Sequence, residues 1–328
     1  MNSLNEINVA IIGAGRWGKN HVRTANSLLS ANQITVCDFL EHARETVREI
    51  NPEIKFTTNP DEIFSDDRIN AVIIATPAET HYEIAKKALE SGKHVLVEKP
   101  ITLYPEEAEK LLELSRKLNL KLMVGHVLLY HPAVIRMKEG LRKGEIGRLQ
   151  YIYSNRLNLG ALRTEENVLW SFAPHDISVI QYLIEKNPER IEAHGGAFVQ
   201  KNIEDTTLTF LEYPENIKAH IFVNWLHPFK EQRMVVIGDK GMYVFEDSAK
   251  SEKLKLYHKG FVNEEGKIEK FDADYEVVEI ENKMPLTEEQ IHFYKSIVND
   301  TTPRTDGQHA LEVLRILSEA STKLNSDA

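Results

Sequence analysis

The stretch Ile7-Asn8-Val9-Ala10-Ile11-Ile12-Gly13-Ala14-Gly15-Arg16-Trp17-Gly18 decides the architecture. A short apolar run, sized for a buried strand, leads directly into GxGxxG, and an amphipathic segment follows. In that setting the three glycines allow a tight turn, close approach of the backbone to a pyrophosphate, and close packing of helix on strand. The first free N–H groups of the helix then face the phosphates, with the positive end of the helix dipole behind them. A glycine-rich structural turn is the competing explanation, and the position of the motif after the first strand of an alternating chain argues against it.

Outward from this motif, apolar runs at 7–12, 34–37, 54–56, 71–75, 94–97 and 121–124 alternate with helix-like segments at 17–29, 41–50, 79–91 and 105–118. Short continuous apolar runs are the mark of parallel strands buried on both faces, so the pattern predicts a doubly wound Rossmann domain over 1–125. Asp38 ends the second run at the place of the ribose-reading acid; a carboxylate there accepts from the ribose hydroxyls and repels a 2′-phosphate, which favours NAD over NADP. The alternative is that Asp38 only caps the helix starting near Glu41. Thr76 and Pro77, at the carboxyl end of the fourth strand, are expected beside the nicotinamide half of the cofactor; His81 either joins them or caps the next helix.

Beyond Gly125 the runs lengthen and alternate apolar with polar residues, at 149–158, 190–199, 206–212, 218–225 and 233–237. Alternation predicts a large open antiparallel sheet in an α+β domain over 126–328, with helices at 132–141, 174–185, 287–298 and 308–324 and a solvated hairpin in 251–270. The chain has 328 residues and a formal charge of −10, opposite to the basic footprint of nucleic-acid binding, so no nucleic-acid partner is expected. Its single cysteine, Cys37, excludes an intramolecular disulfide and any multi-cysteine zinc site, and no metal is expected. No apolar run nears the ~20 residues of a membrane span, and Met1 to Glu6 lacks a signal-peptide pattern, so a cytoplasmic protein without a membrane partner is expected.

The fifth strand ends Val97-Glu98-Lys99-Pro100. A lysine at the carboxyl edge of a dinucleotide sheet belongs beside the reacting ring, and the proline after it allows a cis bond. Together with the N-terminal GxGxxG, the Ala75-Thr76-Pro77 and His81 segment, the Gly125 to Pro132 junction and a histidine at 175, this EKP resembles the Gfo/Idh/MocA family of sugar and polyol dehydrogenases. The resemblance implies a catalytic Lys99 and a Glu98 packed against the cofactor, with Gly13, Gly15, Arg16, Trp17, Gly18, Asp38, Thr76, Pro77 and His81 completing the NAD site. It further implies a homodimer or homotetramer paired through the antiparallel sheet.

That family carries an Asp-x-Gly-x-His run in its second domain, matched here by Ser171-Phe172-Ala173-Pro174-His175. His175 falls on the histidine position and is the second catalytic candidate. Ser171 cannot supply the family's aspartate charge, so either Asp176 orients the histidine or His175 works without a carboxylate. Leu128 and Leu129 stand where many members have two arginines, which weakens an inositol-dehydrogenase assignment. The segment from Arg156 to Asp176 is similar to the branch that includes UDP-N-acetylglucosamine 3-dehydrogenases. The resemblance implies oxidation at C3 of a UDP-N-acetylhexosamine. In an acidic chain Arg156, Arg163, Lys230 and Arg233, with Asp176, are then the candidate substrate set, the four cations converging on a diphosphate; the competing explanation is that they are ordinary strand-face charges. A dehydrogenase of a free sugar or polyol is the alternative, and a non-catalytic dinucleotide sensor a remoter one, because a sensor has no need of both Lys99 and His175.

Overall fold

The computed structural model describes residues 4–160 and 162–326; Met1, Asn2 and Ser3 of the N-terminal stretch lie outside it. Two compact units emerge, one formed by Met1–Tyr130 with Met284–Leu314, the other by His131–Lys283 with Arg315–Ala328.

The first unit is built on a six-stranded parallel sheet: β1 (Val9–Ile12), β2 (Ile34–Cys37), β3 (Lys55–Thr57), β4 (Ala71–Ile74), β5 (His94–Glu98) and β6 (Leu122–Gly125). Its order is β3-β2-β1-β4-β5-β6, so strand order reverses between β1 and β4. Connecting segments include α1 (Gly18–Leu28), α2 (Ala43–Ile50), the single turn α3 (Asp61–Phe64), α4 (His81–Glu90) and α5 (Pro105–Lys117). Every side chain of β1 and β4 is buried, as continuous Val, Ala and Ile runs require when both faces are covered. Each such Ile or Val removed from water contributes roughly 1.5–3 kcal/mol. Helix α5 shows the local logic: Pro105 opens it, Glu106 and Glu107 lie at its positive end, and Arg116 and Lys117 at its negative end.

The division between units differs from a cut at residue 125. Helix α8 (Pro285–Val298) and the following loop return to the first unit, where Thr305 Oγ1 donates to the Val124 carbonyl at 2.7 Å and shares a 3.1 Å hydrogen bond with Tyr130. A residue far along the chain thus completes the edge of β6. Helix α9 (Gly307–Ser326) contains the boundary between the units at Leu314.

The second unit begins with α6 (Pro132–Arg142). It holds an eight-stranded sheet made of β7 (Leu149–Leu159), β8 (Arg190–Gly196), β9 (Thr206–Tyr213), β10 (Ile217–Asn224), β11 (Leu226–Gly238), β12 (Met242–Glu246), β13 (Leu254–Glu264) and β14 (Lys267–Val277). The sheet departs from the expected all-antiparallel form at one pair: β7 and β10 run parallel. Helix α7 (Val168–Ile184) starts six residues before the expected Pro174, because Asn167 caps it by accepting from the Trp170 amide at 3.2 Å. Pro174 therefore lies inside the helix, where buried apolar neighbours on both sides hold the chain helical. The expected solvated hairpin is β13 with β14, whose outer strand is exposed along most of its length.

Candidate active site

The phosphate loop occupies the crevice where the strand order reverses, the position at which open α/β sheets receive ligands. Gly13 has φ +93°, and a Cβ there would lie 2.7 Å from the Ala75 carbonyl oxygen; one on Gly18 would lie 2.0 Å from that of Gly13. Both positions exclude any larger residue. Gly15 differs in kind, since a Cβ there meets nothing within 4 Å, so its missing side chain leaves open space on the ligand side of the loop. Arg16 and Trp17 are exposed beside it, and no side chain caps the N-terminus of α1. An open glycine, uncapped amides and a helix dipole fit a dinucleotide diphosphate.

Asp38 follows β2 and joins this loop. Its Oδ2 accepts from the Ala14 amide at 2.8 Å and its Oδ1 from the Leu40 amide at 2.9 Å. Helix α2 begins only at Ala43 and has no side-chain cap, so Asp38 is not its cap. Together with Gly15, Lys19 and His42, Asp38 lines a cleft of about 200 Å³. Arg44, the nearest guanidinium along the chain, is paired with Glu41 and lies over the Phe56 ring at 4.6 Å.

The next group of expected site residues lies at the carboxyl ends of β4 and β5. The Lys99-Pro100 bond is cis, and the Lys99 amide donates to Glu98 Oε2 at 3.2 Å. His81 is buried, with Nδ1 2.7 Å from the Pro100 carbonyl and Nε2 2.9 Å from that of Thr76. Burial holds this imidazole below its ordinary value, so it is neutral at pH 7 and donates to one of the two. His81 thus packs between the loop after β4 and the loop after β5, hydrogen-bonded to one of them. Thr76 accepts a further 2.7 Å hydrogen bond from Thr80, and Pro77 accepts at its carbonyl from the same hydroxyl.

Glu98 is the centre of a network that sequence inspection does not reach. Its Oε1 accepts from Trp17 Nε1 at 2.5 Å and from His21 Nε2 at 2.8 Å, and its carboxylate lies where a Cβ on Gly125 would fall, 2.9 Å away. Burial pushes this carboxyl up, but the His21 and Trp17 donors and the Lys99 ammonium outweigh it and hold Glu98 below the usual carboxylate range. Glu289 on α8 is fully buried, and neither of its oxygens has a hydrogen-bond partner; burial and then the charge of Glu98 push it well above the ordinary value. Of the two carboxyls, Glu289 is thus biased toward its protonated form and Glu98 toward its anion. His126 and His309 meet edge to face at 5.6 Å, both held neutral by burial, with His126 lowered further by His309 and Lys99. Glu289 had a legible signal: it lies one turn before Phe293 on the apolar stripe of α8.

In the second unit the expected substrate residues separate. Arg156 Nε and Nη2 grip Asp176 Oδ2 and Oδ1 at 2.7 and 3.1 Å, and Ser154 donates to the same carboxylate at 2.5 Å. These two residues tie β7 to α7 beneath the sheet, and His175, half-buried, precedes Asp176 on that helix. Arg233 is registered opposite Asn155, one residue out of step with Arg156, so it projects from the other, open face. There it pairs with Glu246 at 3.2 Å and Glu231 at 3.4 Å. Lys230 is exposed, and Arg163 pairs with Glu166 at 2.9 Å. The expected convergence of four cations is not present, because Arg156 and Arg233 leave the sheet in opposite directions. Trp225 is core, 1% exposed, and Leu128 and Leu129 are buried.

A dinucleotide-binding sheet with a lysine at its carboxyl edge defines the class: a nicotinamide-dependent oxidoreductase. Residues 7–126 match the oxidoreductase family, NAD-binding Rossmann fold (GFO_IDH_MocA), and residues 134–244 match the GFO/IDH/MocA C-terminal domain. The chain belongs to the Gfo/Idh/MocA oxidoreductase family. It is 28% identical over 249 residues, 72% of each chain, to scyllo-inositol 2-dehydrogenase (NAD(+)) of Bacillus subtilis. It is 30% identical over 198 residues, 60% of each, to UDP-N-acetylglucosamine 3-dehydrogenase of Acidithiobacillus ferrooxidans. A solved structure of the latter enzyme covers 97% of each chain with a TM-score of 0.83 at 23% identity, a likeness of fold. Among the described residues no helix is long and apolar enough to cross a membrane.

Proposed function

We propose that the protein oxidises a secondary ring hydroxyl of a sugar or polyol to a ketone. The observation that carries this is the setting of Lys99: a half-buried lysine at the carboxyl end of β5, its amide bonded to Glu98 and the following Pro100 carbonyl packed against His81. Bound NAD supplies the acceptor for the hydride that leaves the carbon. The hydroxyl proton goes to a base of the protein, His175 or Lys99, and the other of the two hydrogen-bonds the oxygen as charge develops on it. A histidine with a reference pKa of ~6.5 suits the base role near neutrality.

Two substrate classes follow from the relatives. A UDP-N-acetylhexosamine oxidised at C3 is supported by the 30% identity to a UDP-N-acetylglucosamine 3-dehydrogenase. A free sugar or polyol is supported by the longer match to an inositol dehydrogenase and by the use of Arg156 on Asp176 rather than on a diphosphate. Incubation with NAD and parallel panels of UDP-sugars, free sugars and inositols, with and without 2-oxoglutarate as a sink for reducing equivalents, separates them. A keto product by mass from the UDP-sugars alone, or from the free sugars or inositols alone, identifies the class, and none from any of the three panels overturns the function. The open face of the large sheet, where Tyr153, Val235 and Val244 line a cleft, is the face we assign to a second copy, which light scattering tests.

A further inference from the structure

The hydrogen bonds around Glu98 extend back through two residues to α8. Tyr294 Oη donates to Gln290 Oε1 at 3.1 Å, while Gln290 Nε2 lies 3.1 Å from both the His21 carbonyl oxygen and His21 Nδ1. A carbonyl can only accept, so the end of the Gln290 amide that faces His21 is its NH2 group, an orientation that Tyr294 reinforces from the other end. His21 Nδ1 is therefore an acceptor, the ring proton is on Nε2, and that proton points at Glu98 Oε1. Tyr294, Gln290 and His21 are all fully buried, so water does not compete for these bonds.

We propose that His21 and Gln290 are positioning residues that fix Glu98 as a permanent anion at the carboxyl edge of the sheet, and that this charge makes the site favour the oxidised, cationic form of the nicotinamide cofactor over the reduced, neutral form. The Trp17 indole, bonded to the same oxygen, links the anion to the phosphate loop, so whatever binds along that loop comes under its field. A fixed charge discriminates between ligands that differ by one charge and leaves their common contacts alone.

The test is the ratio of dissociation constants, NADH over NAD+, measured by fluorescence or calorimetric titration with no substrate present. Glu98→Gln is expected to lower this ratio about tenfold, a size consistent with one partly screened charge. Gln290→Met and His21→Met are expected to lower it several-fold, and His21→Gln, which keeps an N–H near the position of Nε2, to restore it. A purely structural role would weaken both cofactor forms together, leaving the ratio unchanged, and that result overturns the proposal. Nitrogen NMR of the unaltered protein provides the second measurement, independent of whether any variant folds: His21 is expected as the Nε2–H tautomer, and the Nδ1–H tautomer overturns the proposal as well.

Discussion

Arg156 and Asp176 close a two-bond fork between the middle of β7 and the body of α7, and both side chains are buried. Breaking one side of such a pair leaves a buried charge without its counter-charge, which costs about 3–5 kcal/mol, whereas replacing both by apolar residues of similar volume costs much less. Arg156→Met and Asp176→Leu singly are expected to lower unfolding free energy by that amount, and the double substitution to recover most of it. Denaturant titration of the four proteins checks this. Equal additive losses would show that the fork contributes no coupling.

The two sides of the cofactor loop are separable. Gly15 faces open space and has an ordinary φ, so Gly15→Val should change stability by about 0.5 kcal/mol or less while weakening NAD binding at least tenfold. Asp38→Ser keeps a hydrogen-bond acceptor near Ala14 but removes the charge that repels a 2′-phosphate. The NAD over NADP preference should narrow about tenfold, the worth of one partly screened charge. It should not reverse, because Arg44 remains bound to Glu41. Calorimetric titration with both cofactors reads each effect.

Much of this was legible because it is local. The phosphate loop, Asp38 and the EKP each follow a strand within a few residues, and strand ends mark the ligand side of an open sheet. The substrate set was not, because its geometry depends on register between strands far apart in sequence. Arg156 and Arg233 lie on neighbouring strands, yet Arg233 is registered opposite Asn155, and a shift of one residue sends a side chain to the other face. The parallel pairing of β7 with β10 is hidden for the same reason, since alternation reports which face is buried and not the direction of the partner. What Gln290 and Glu289 face carries no local mark, since His21 and Glu98 are more than 190 residues away in the chain.

Lys99 and His175 can be assigned to their roles by pH dependence. General acid–base groups typically contribute 10²–10⁴-fold, so Lys99→Met and His175→Asn should each lower turnover by at least 10². The base is the residue whose loss removes the acid-side limb of the kcat/KM profile; the other variant keeps that limb at reduced height. Full turnover in Lys99→Met would remove it from the mechanism.

Glu289 and the buried histidines oppose each other in the dependence of stability on pH. His94, His292 and His309 are lowered by burial from 6.5 to about 4, so the unfolded chain binds more protons in that interval and stability falls as pH drops from 6.5 toward 4. Glu289 is raised above 4.5, so the folded chain holds a proton that the unfolded chain has released; its stability contribution is complete below 4.5 and is lost as pH rises toward its folded value. Between 4.5 and 6.5 the three histidines dominate. From 4.5 upward Glu289 acts against the fold, by up to about 1.4 kcal/mol per pH unit until it ionises, and once the histidines have lost their protons nothing among these four groups opposes it. Glu289→Gln has the same shape and no proton to lose, so it should raise the thermal midpoint at pH 8 and leave it nearly unchanged at pH 4.5. Thermal unfolding of both proteins across pH 4.5–9 measures the difference, and parallel curves would mean that Glu289 is not protonated in the folded state.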